Sequence, residues 1–581
     1  GQAPLRGRHP GDAGGDAAAS VIDRDCGQPG DNRADAGHAR LRDASPQVCC
    51  SSRRWRIRGM DRMASSAPNI ERFVAKGILP ENLPPVFGTE RLWDSLSTLS
   101  PGYAITKSMV GEPAIFNASK RGGLRRLFTI PHPLFIRDAA IFIERHWGDI
   151  HRIVESSHGS VSKVSFSSTG RRHVRTTPHS DLPRLRLSRL SRFKLCLVTD
   201  VSRFFPSVYT HSLPWALNGK TASKKDPKIN SATVFGNRID FILRQAQAKQ
   251  TIGMPIGPDT SKVISEFLMA SVDAEFVRRS GSRVPTFVRH VDDYWIGGNN
   301  IEECDRHLQN LRMALRTYEL DINELKTKII SAKHIFADDW PFGFAKEIAD
   351  SLRTAPPISN ESLSILAKVV EQATVSNDDG IVRHIIKVMD DNRLWIRDWG
   401  VLEHFLAQCA VQFPHSFDYA ARIVAWRLRT RKPVDTKLWR DISISTIEQL
   451  APSGRDSEVV WALWLLRELN YPVSKGITDL LISTIGPFPL CFLAHMHIHK
   501  LTKDKNIIAA LKSAVDGDPT IGALWPLSLE LCHLGLGDPA WTSGVAPAQA
   551  HLHITKASII RWNALPRVFD EIEEVDSEDA E

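Results

Sequence analysis

Cysteine is scarce in this chain: eight residues in 581, none in a Cys-x-x-Cys pair. Neither a zinc ribbon nor a disulfide framework is indicated, and a reducing compartment fits. Long apolar runs are scarce too. The most apolar window, around Leu480 to Ile498, is interrupted by Pro487 and Pro489 and runs into His495, His497 and His499, which excludes a membrane span. No secretory signal is visible. Basic residues are missing from Asp570 onward, where eight acids stand alone, so the rest of the chain carries +16 although the total is +8. A body that basic favours an anionic partner, above all nucleic acid. Against these absences stand 42% hydrophobic residues, 15 Trp and 24 Phe, ample material for buried cores. The length suggests about three or four compact units and excludes a single small binding module.

Residues 1–62 are rich in Gly, Ala, Asp and Arg, lack an apolar period, and hold no Met before Met60. They read as a disordered or upstream segment outside the fold; an RNA-binding basic arm is the alternative, opposed by the acids among them. Residues 63–190 combine a helical pattern at Leu134 to Val154 with a basic stretch in which nine Lys or Arg face Asp181 alone between Lys163 and Lys194. Within 191–345 the signals alternate. A β-rich run, Phe193 to Val198, precedes a helix expected from Asp259 or Ser261, with Val263, Ile264, Phe267, Leu268 and Val272 on one face. A strand over Val284 to Val291, an Asp-Asp turn and a strand over Tyr294 to Ile296, ended by Gly297 and Gly298, predict a β-hairpin. Asn300 and Glu303 then form a capping signature before Ile301, Cys304, Leu308, Leu311 and Leu315. Across 346–566 amphipathic helices follow one another (Leu363 to Ala373, Ile381 to Met389, Trp395 to Gln412, Tyr419 to Leu428, Val459 to Leu469, Ile507 to Ala514) and nine of the 15 Trp fall there. An α-solenoid would suit that spacing, without a clean internal repeat. Residues 567–581 form an acidic tail.

Phosphodiester formation from a nucleoside triphosphate needs two magnesium ions about 3.5 to 4 Å apart. Mg²⁺ takes hard oxygen ligands and completes its octahedron with water and phosphate, so a few Asp residues at strand ends suffice. Asp200 ends one apolar strand, and Asp292 and Asp293 sit in the turn of a hairpin. An Asp-Asp dipeptide alone means little, since Asp338/Asp339, Asp378/Asp379 and Asp390/Asp391 also occur. What distinguishes Asp292/Asp293 is an apolar strand on each side and the segment QTIGMPIGPDTSKVISE between them and Asp200.

The runs TDVSRFFPSVYTHSLPWALNGK, GMPIGPDTS, RHVDDYWI and YELDINELKT resemble reverse transcriptase motifs A, B, C and D, in that order. The wording of A and B is most similar to bacterial defence-associated reverse transcriptases of the abortive-infection, "unknown group" type. The resemblance implies an α+β fold: right-hand fingers (63–190) and palm (191–345), an antiparallel sheet with helices, then an all-α, helical-repeat C-terminal domain. It implies Asp200, Asp292 and Asp293 as carboxylates for two Mg²⁺, or Mn²⁺, with the Val201 carbonyl as a further ligand. Phe205 would close the floor beneath the sugar and select deoxynucleotides. Gly257, Pro258 and Ser261 would touch nucleotide and template. Lys326 would protonate the leaving pyrophosphate, with an ordinary exposed lysine as the even alternative. Arg171, Arg172 and Arg175 would clasp the triphosphate, a planar fork suiting bidentate phosphate contacts; a solvated basic loop along nucleic-acid backbone is the alternative. His290 and Ile256 depart from the family pattern, where an aromatic residue and Gln are usual, and bear on primer and template handling.

The expected activity is RNA-directed DNA synthesis from dNTPs in antiphage defence, in the bacterial cytoplasm. Expected partners are an RNA template or non-coding RNA and the DNA product, with a homo-oligomer formed through the helical region. Untemplated or protein-primed synthesis belongs to the same group; Tyr419 and Tyr471 are weak candidates for priming. The competing class is a catalytically silent, reverse-transcriptase-like RNA-binding scaffold. A zinc site from His495, His497, His499, His551 and His553 lacks a Cys or carboxylate at ligand spacing, and the C-terminal Trp residues read as core anchors rather than base platforms.

Overall fold

The computed structural model describes residues 67–564, apart from 101, 336–339, 357–358, 397–398 and 516. All lie in the compact unit Ala64–Glu581. The expectations for 1–62 and for the acidic tail fall outside the described residues. Four strands pair as two small hairpins, β1 (Ala114–Ser119) with β2 (Arg125–Ile130) and β3 (Ser165–Phe166) with β4 (Val174–Arg175). A four-stranded sheet follows, built from β5 (Leu195–Asp200), β6 (Phe287–His290), β7 (Asp293–Gly298) and β8 (Lys328–Ser331) in the order β6-β7-β5-β8. Every pairing in it is antiparallel.

This sheet is covered on both faces, as period-two alternation requires. Leu197 and its cross-strand partner Ile296 join the main core with Phe267 and Leu268 of the long helix Asp259–Ser280. Cys196, Val288 and Trp295 face the other way, onto Leu182, Leu185 and Leu190 of the helix Leu182–Leu190. The Asn300 side chain accepts from the Glu303 amide at the start of helix Ile301–Thr317, as the capping signature predicts.

Three local expectations need correction. The helical pattern at Leu134 to Val154 is two helices, Pro133–Arg145 and Trp147–Ser156, joined at His146, which leaves helical dihedrals and stacks its ring on Phe235 at 4.3 Å. The strand expected from Val284 begins only at Phe287, beyond Pro285, which has no amide to give a ladder. It ends at His290, because Val291 takes a left-handed φ of 58°. Gly297 and Gly298 do not follow the second strand as its terminator; they are the last residues of β7, paired with Cys196 and Leu195 of β5. They are glycine for want of room, since a Cβ on Gly297 would stand 2.3 Å from the Phe193 ring and one on Gly298 2.5 Å from the Cys304 sulfur.

Beyond β8 the described chain is helical, from Trp340–Thr354 to the short helix His551–Ile554. Trp395, Trp439, Trp461, Trp464 and Trp525 are fully buried among these helices, as core anchors. The helical region also closes the free edge of β1. At the N-terminus of helix Asp456–Glu468, Asp456 accepts from the Asn117 amide (2.8 Å) and Ser457 from the Ser119 amide (2.9 Å). Glu458 meets the Arg125 guanidinium in a two-pronged bond (2.5 and 3.0 Å). An unpaired strand edge is thereby satisfied by side chains rather than left open. No described helix is long and apolar enough to cross a membrane.

Candidate active site

The antiparallel register of β5 and β7 decides the geometry: Asp200 lies directly opposite Asp293. One residue further the Val201 amide donates to the Asp292 carbonyl at 3.2 Å, so the ends of two distant segments close on each other. Asp200, Val201, Asp292 and Asp293 are thus brought together. Lys326 joins them from the turn before β8, its ammonium 2.5 Å from Asp200 Oδ2. The other Asp200 oxygen, Oδ1, is buried with no hydrogen-bond partner.

Like charges share this corner. Burial of the carboxyls raises both Asp292 and Asp293 above the ordinary carboxylate range, and next a neighbouring acid does, Asp293 for Asp292 and Asp200 for Asp293; Asp292 is raised to about 7. The hydrogen bond to Asp200 holds the Lys326 ammonium above its ordinary value. Among the described residues no three His, Cys, Asp or Glu side chains converge into a ready-made metal cage, and here the Lys326 ammonium lies on Asp200. Mg²⁺ needs only one or two protein carboxylates beside water and phosphate. The orphaned Asp200 Oδ1 and two mutually repelling acids with raised proton affinity fit such an ion.

The turn that carries the acids is strained and tethered. A β-branched residue at positive φ, as Val291 is, costs on the order of 1–3 kcal/mol and persists only when its surroundings enforce it. Its amide donates to Ser162 Oγ (2.8 Å) and its carbonyl accepts from Arg289 (2.9 Å). Arg289 is fully buried beneath the turn, forked onto Glu266 (3.0 and 3.0 Å) and bonded through Nε to Asp273 (2.8 Å). Burial alone would lower its proton affinity, but Asp273 and Glu266 hold the guanidinium well above its ordinary value. Tyr294 and Ser157 complete the contacts of Asp273, and Ser160 and Ser162 those of Glu266. The sequence reading missed this network; its signal was three charged residues, Glu266, Asp273 and Arg289, inside elements otherwise read as apolar.

Phe205 sits in the short helix Phe204–Ser207, half-buried, its ring edge-on to Phe204 at 5.2 Å. Its carbonyl accepts from Met254, and further bonds join Val208 to Gly253 and Thr210 to Thr251, so the segment after Asp200 is stitched to the loop before Gly257. Gly257 takes a φ of 123° with Phe128 3.1 Å from where its Cβ would stand. Pro258 precedes the long helix, whereas Ser261 is buried inside it and presents no contact surface to a nucleotide. Ile256 pairs through its backbone with Thr129 of β2. His290 is buried and bonds the Thr177 carbonyl (3.1 Å); burial lowers its proton affinity.

Of the three arginines expected at the triphosphate, Arg172 is already occupied by the protein itself. Arg172 is committed to Asp259 (2.7 Å) and to the carbonyls of Gly257 (2.7 Å) and Leu79, which pins the Gly257 turn. With Arg171 and Arg175 it lines a cavity whose walls include none of Asp200, Asp292, Asp293 and Lys326. Cations near the acids lie on the β1–β2 hairpin, and Arg186 of helix Leu182–Leu190 also acts on Asp293. Burial and then its neighbours Arg126, Lys326 and Arg121 lower the proton affinity of Lys120, which also senses Asp292. The hairpin was legible, as two β-rich runs about Gly122-Gly123. The histidines of the C-terminal region go separate ways: His495 to Glu530, His497 to Thr502, His551 to Ser95 and His553 to Ser528.

Residues 149–361 match the family described as reverse transcriptase (RNA-dependent DNA polymerase). The chain therefore carries a reverse transcriptase domain, and the carboxylate corner lies within it. No curated protein matches. Among solved structures, apo telomerase from Candida tropicalis truncated of its C-terminal domain is similar at 13% identity over 42% of this chain, with a TM-score of 0.26; this chain spans 56% of it. The fuller apo telomerase from the same organism is similar at 12% identity over 68% of this chain and 76% of its own, with the same TM-score. Both are distant likenesses.

Proposed function

We propose that this chain is an RNA-directed DNA polymerase that extends a 3′-hydroxyl with deoxynucleotides. The observation that carries the reading is the register of Asp200 against Asp293, with Val201 bonded to Asp292. Two Mg²⁺ ions bound there would supply charge stabilisation for the attacking and leaving oxygens of an in-line phosphoryl transfer. Asp200, Asp292 and Asp293 would hold them, with the Val201 backbone beside the acids. Lys326 keeps its proton by pairing with Asp200 and is placed to hand it to the departing pyrophosphate. The β1–β2 hairpin brings Lys120, Arg121 and Arg126 toward the negative charge of a triphosphate. Phe205, fixed through Met254, supplies the bulk that leaves no space for a 2′-hydroxyl.

A setting in antiphage defence, with a bound non-coding RNA or untemplated synthesis, is supported by the resemblance of the GMPIGPDTS and TDVSRFFPSVY segments. The test incubates purified protein, with co-purifying nucleic acid retained, with labelled deoxynucleotides and Mg²⁺. Incorporation lost in Asp292→Ala/Asp293→Ala supports the polymerase. Equal signal in the variant refutes the site, and no signal in either favours the silent scaffold.

A further inference from the structure

A cavity of about 820 Å³ is walled by the segment Ala75–Glu90, the loop before β4 and the C-terminal helices Gly380–Asp391 and Phe417–Arg429. None of the candidate catalytic residues lines it. Its lining cations outnumber its acids eight to four. Of those acids Glu90 is already paired with Lys76 (2.5 Å) and Arg561 (3.3 Å), and Asp390 accepts from the Trp395 indole (2.9 Å). Asp259 and Asp418, from outside the lining, neutralise Arg172 and Arg383, which leaves a smaller but still positive surplus.

Two of the cations are preorganised. Arg383 and Arg422 both pack on the Tyr419 ring, at 4.8 and 5.2 Å, and Arg383 is held by Asp418 at 2.7 Å. Arg422 Nε is buried with no hydrogen-bond partner, and so is Arg561 Nε. Unmet buried donors are costly, and an anionic oxygen is the acceptor that relieves them best. Lys387 stands exposed on the same wall with no ion-pair partner among the described residues. The cations come from stretches remote in sequence and are spread around the walls, so they suit a phosphodiester chain passing through better than one phosphate gripped at a point.

We infer that this cavity is a second nucleic-acid site, which holds single-stranded RNA or DNA through its phosphates between the fingers loop and the helical region. The inference rests on the reading that the domain handles nucleic acid, and does not need the carboxylates to be active. It gives Arg171 and Arg175, which line the cavity, a use of their own.

The test is fluorescence anisotropy of labelled single-stranded oligonucleotides of about 20 nucleotides, RNA in one arm and DNA in the other, on the full chain in EDTA without nucleotides. Binding is read as a function of salt for wild type, Lys387→Glu, Arg422→Gln and Lys387→Glu/Arg171→Glu. The double variant should bind on the order of tenfold more weakly. Its slope of log affinity against log salt should flatten by about one per phosphate contact removed. A preference for the RNA or the DNA arm tells which strand the site serves. Lys387 is exposed, so its variant keeps the test intact if Arg422→Gln fails to fold. Unchanged affinity and slope in the double variant overturn the inference. So does equal competition by blunt duplex, or by polyglutamate, which would make the occupant an acidic polypeptide. Loss of incorporation in the Asp292→Ala/Asp293→Ala test bears on the polymerase alone, because this binding is read without catalysis.

Discussion

Replacing Arg289 by Met asks whether the tether beneath the acidic turn matters. The guanidinium makes two bonds to Glu266, one to Asp273 and one to the Val291 carbonyl, all out of solvent. Its removal leaves Glu266 and Asp273, 3% and 1% exposed, without a counter-charge. Breaking a buried pair in this way costs about 3–5 kcal/mol, a large share of an ordinary net stability of roughly 5–15 kcal/mol. Urea unfolding should show a much lower midpoint at an unchanged slope. The triple variant Arg289→Met/Glu266→Gln/Asp273→Asn removes the charges together and should recover part of that loss, since no uncompensated carboxylate then stays buried. It cannot restore a donor to Val291. Incorporation should stay on the order of 10- to 100-fold below wild type, because small misplacement of reacting groups is costly. Wild-type stability in Arg289→Met, or a wild-type rate in the triple variant, would refute the tether.

Asp292 and Asp293 are both raised in the folded protein, Asp292 to about 7. Their protonated forms therefore favour the metal-free fold at low pH, and that contribution is lost as pH rises through the folded value. Mg²⁺ binds the ionised forms, so the thermal shift it produces should be larger at pH 8 than at pH 6, with apparent affinity up on the order of tenfold; an equal shift at both would count against the site. Phe205→Ala should admit ribonucleotides with little loss of deoxynucleotide incorporation, and unaltered sugar choice would remove Phe205 from that role. Gly297→Ala drives a methyl into the Phe193 ring and should destabilise by about 1–3 kcal/mol in chemical denaturation; a neutral result would mean that Phe193 yields freely. Arg125→Ala leaves Glu458 buried at the edge of β1 and should speed proteolysis of the Lys120–Leu124 turn, which an unchanged cleavage pattern would contradict.

The carboxylate corner was legible because its signals are local: an apolar strand ending in Asp200, and an Asp-Asp turn between β-rich runs. Antiparallel pairing then needed only the register to bring them together. Gly297 and Gly298 misled because a glycine required by a neighbouring ring looks, in sequence, like one required by a turn. Arg172, in the loop before β4, misled for a related reason. Density of charge says that a stretch meets an anion, but not whether the anion is a ligand or Asp259 at the head of the long helix. Lys120 and Arg126 were missed because nothing along the chain shows that the β1–β2 hairpin reaches the palm. That placement depends on Asp456, Ser457 and Glu458, more than 300 residues away.

Mn²⁺ in place of Mg²⁺ makes the central claim directly measurable. Electron paramagnetic resonance titration with a non-hydrolysable deoxynucleotide present counts the bound ions in wild type and in Asp200→Asn. Two ions per chain in the wild type, with affinity at least tenfold weaker in the variant, is the predicted result. Weak, non-saturating binding in the wild type, or identical curves for both proteins, would contradict a metal site at Asp200, Asp292 and Asp293.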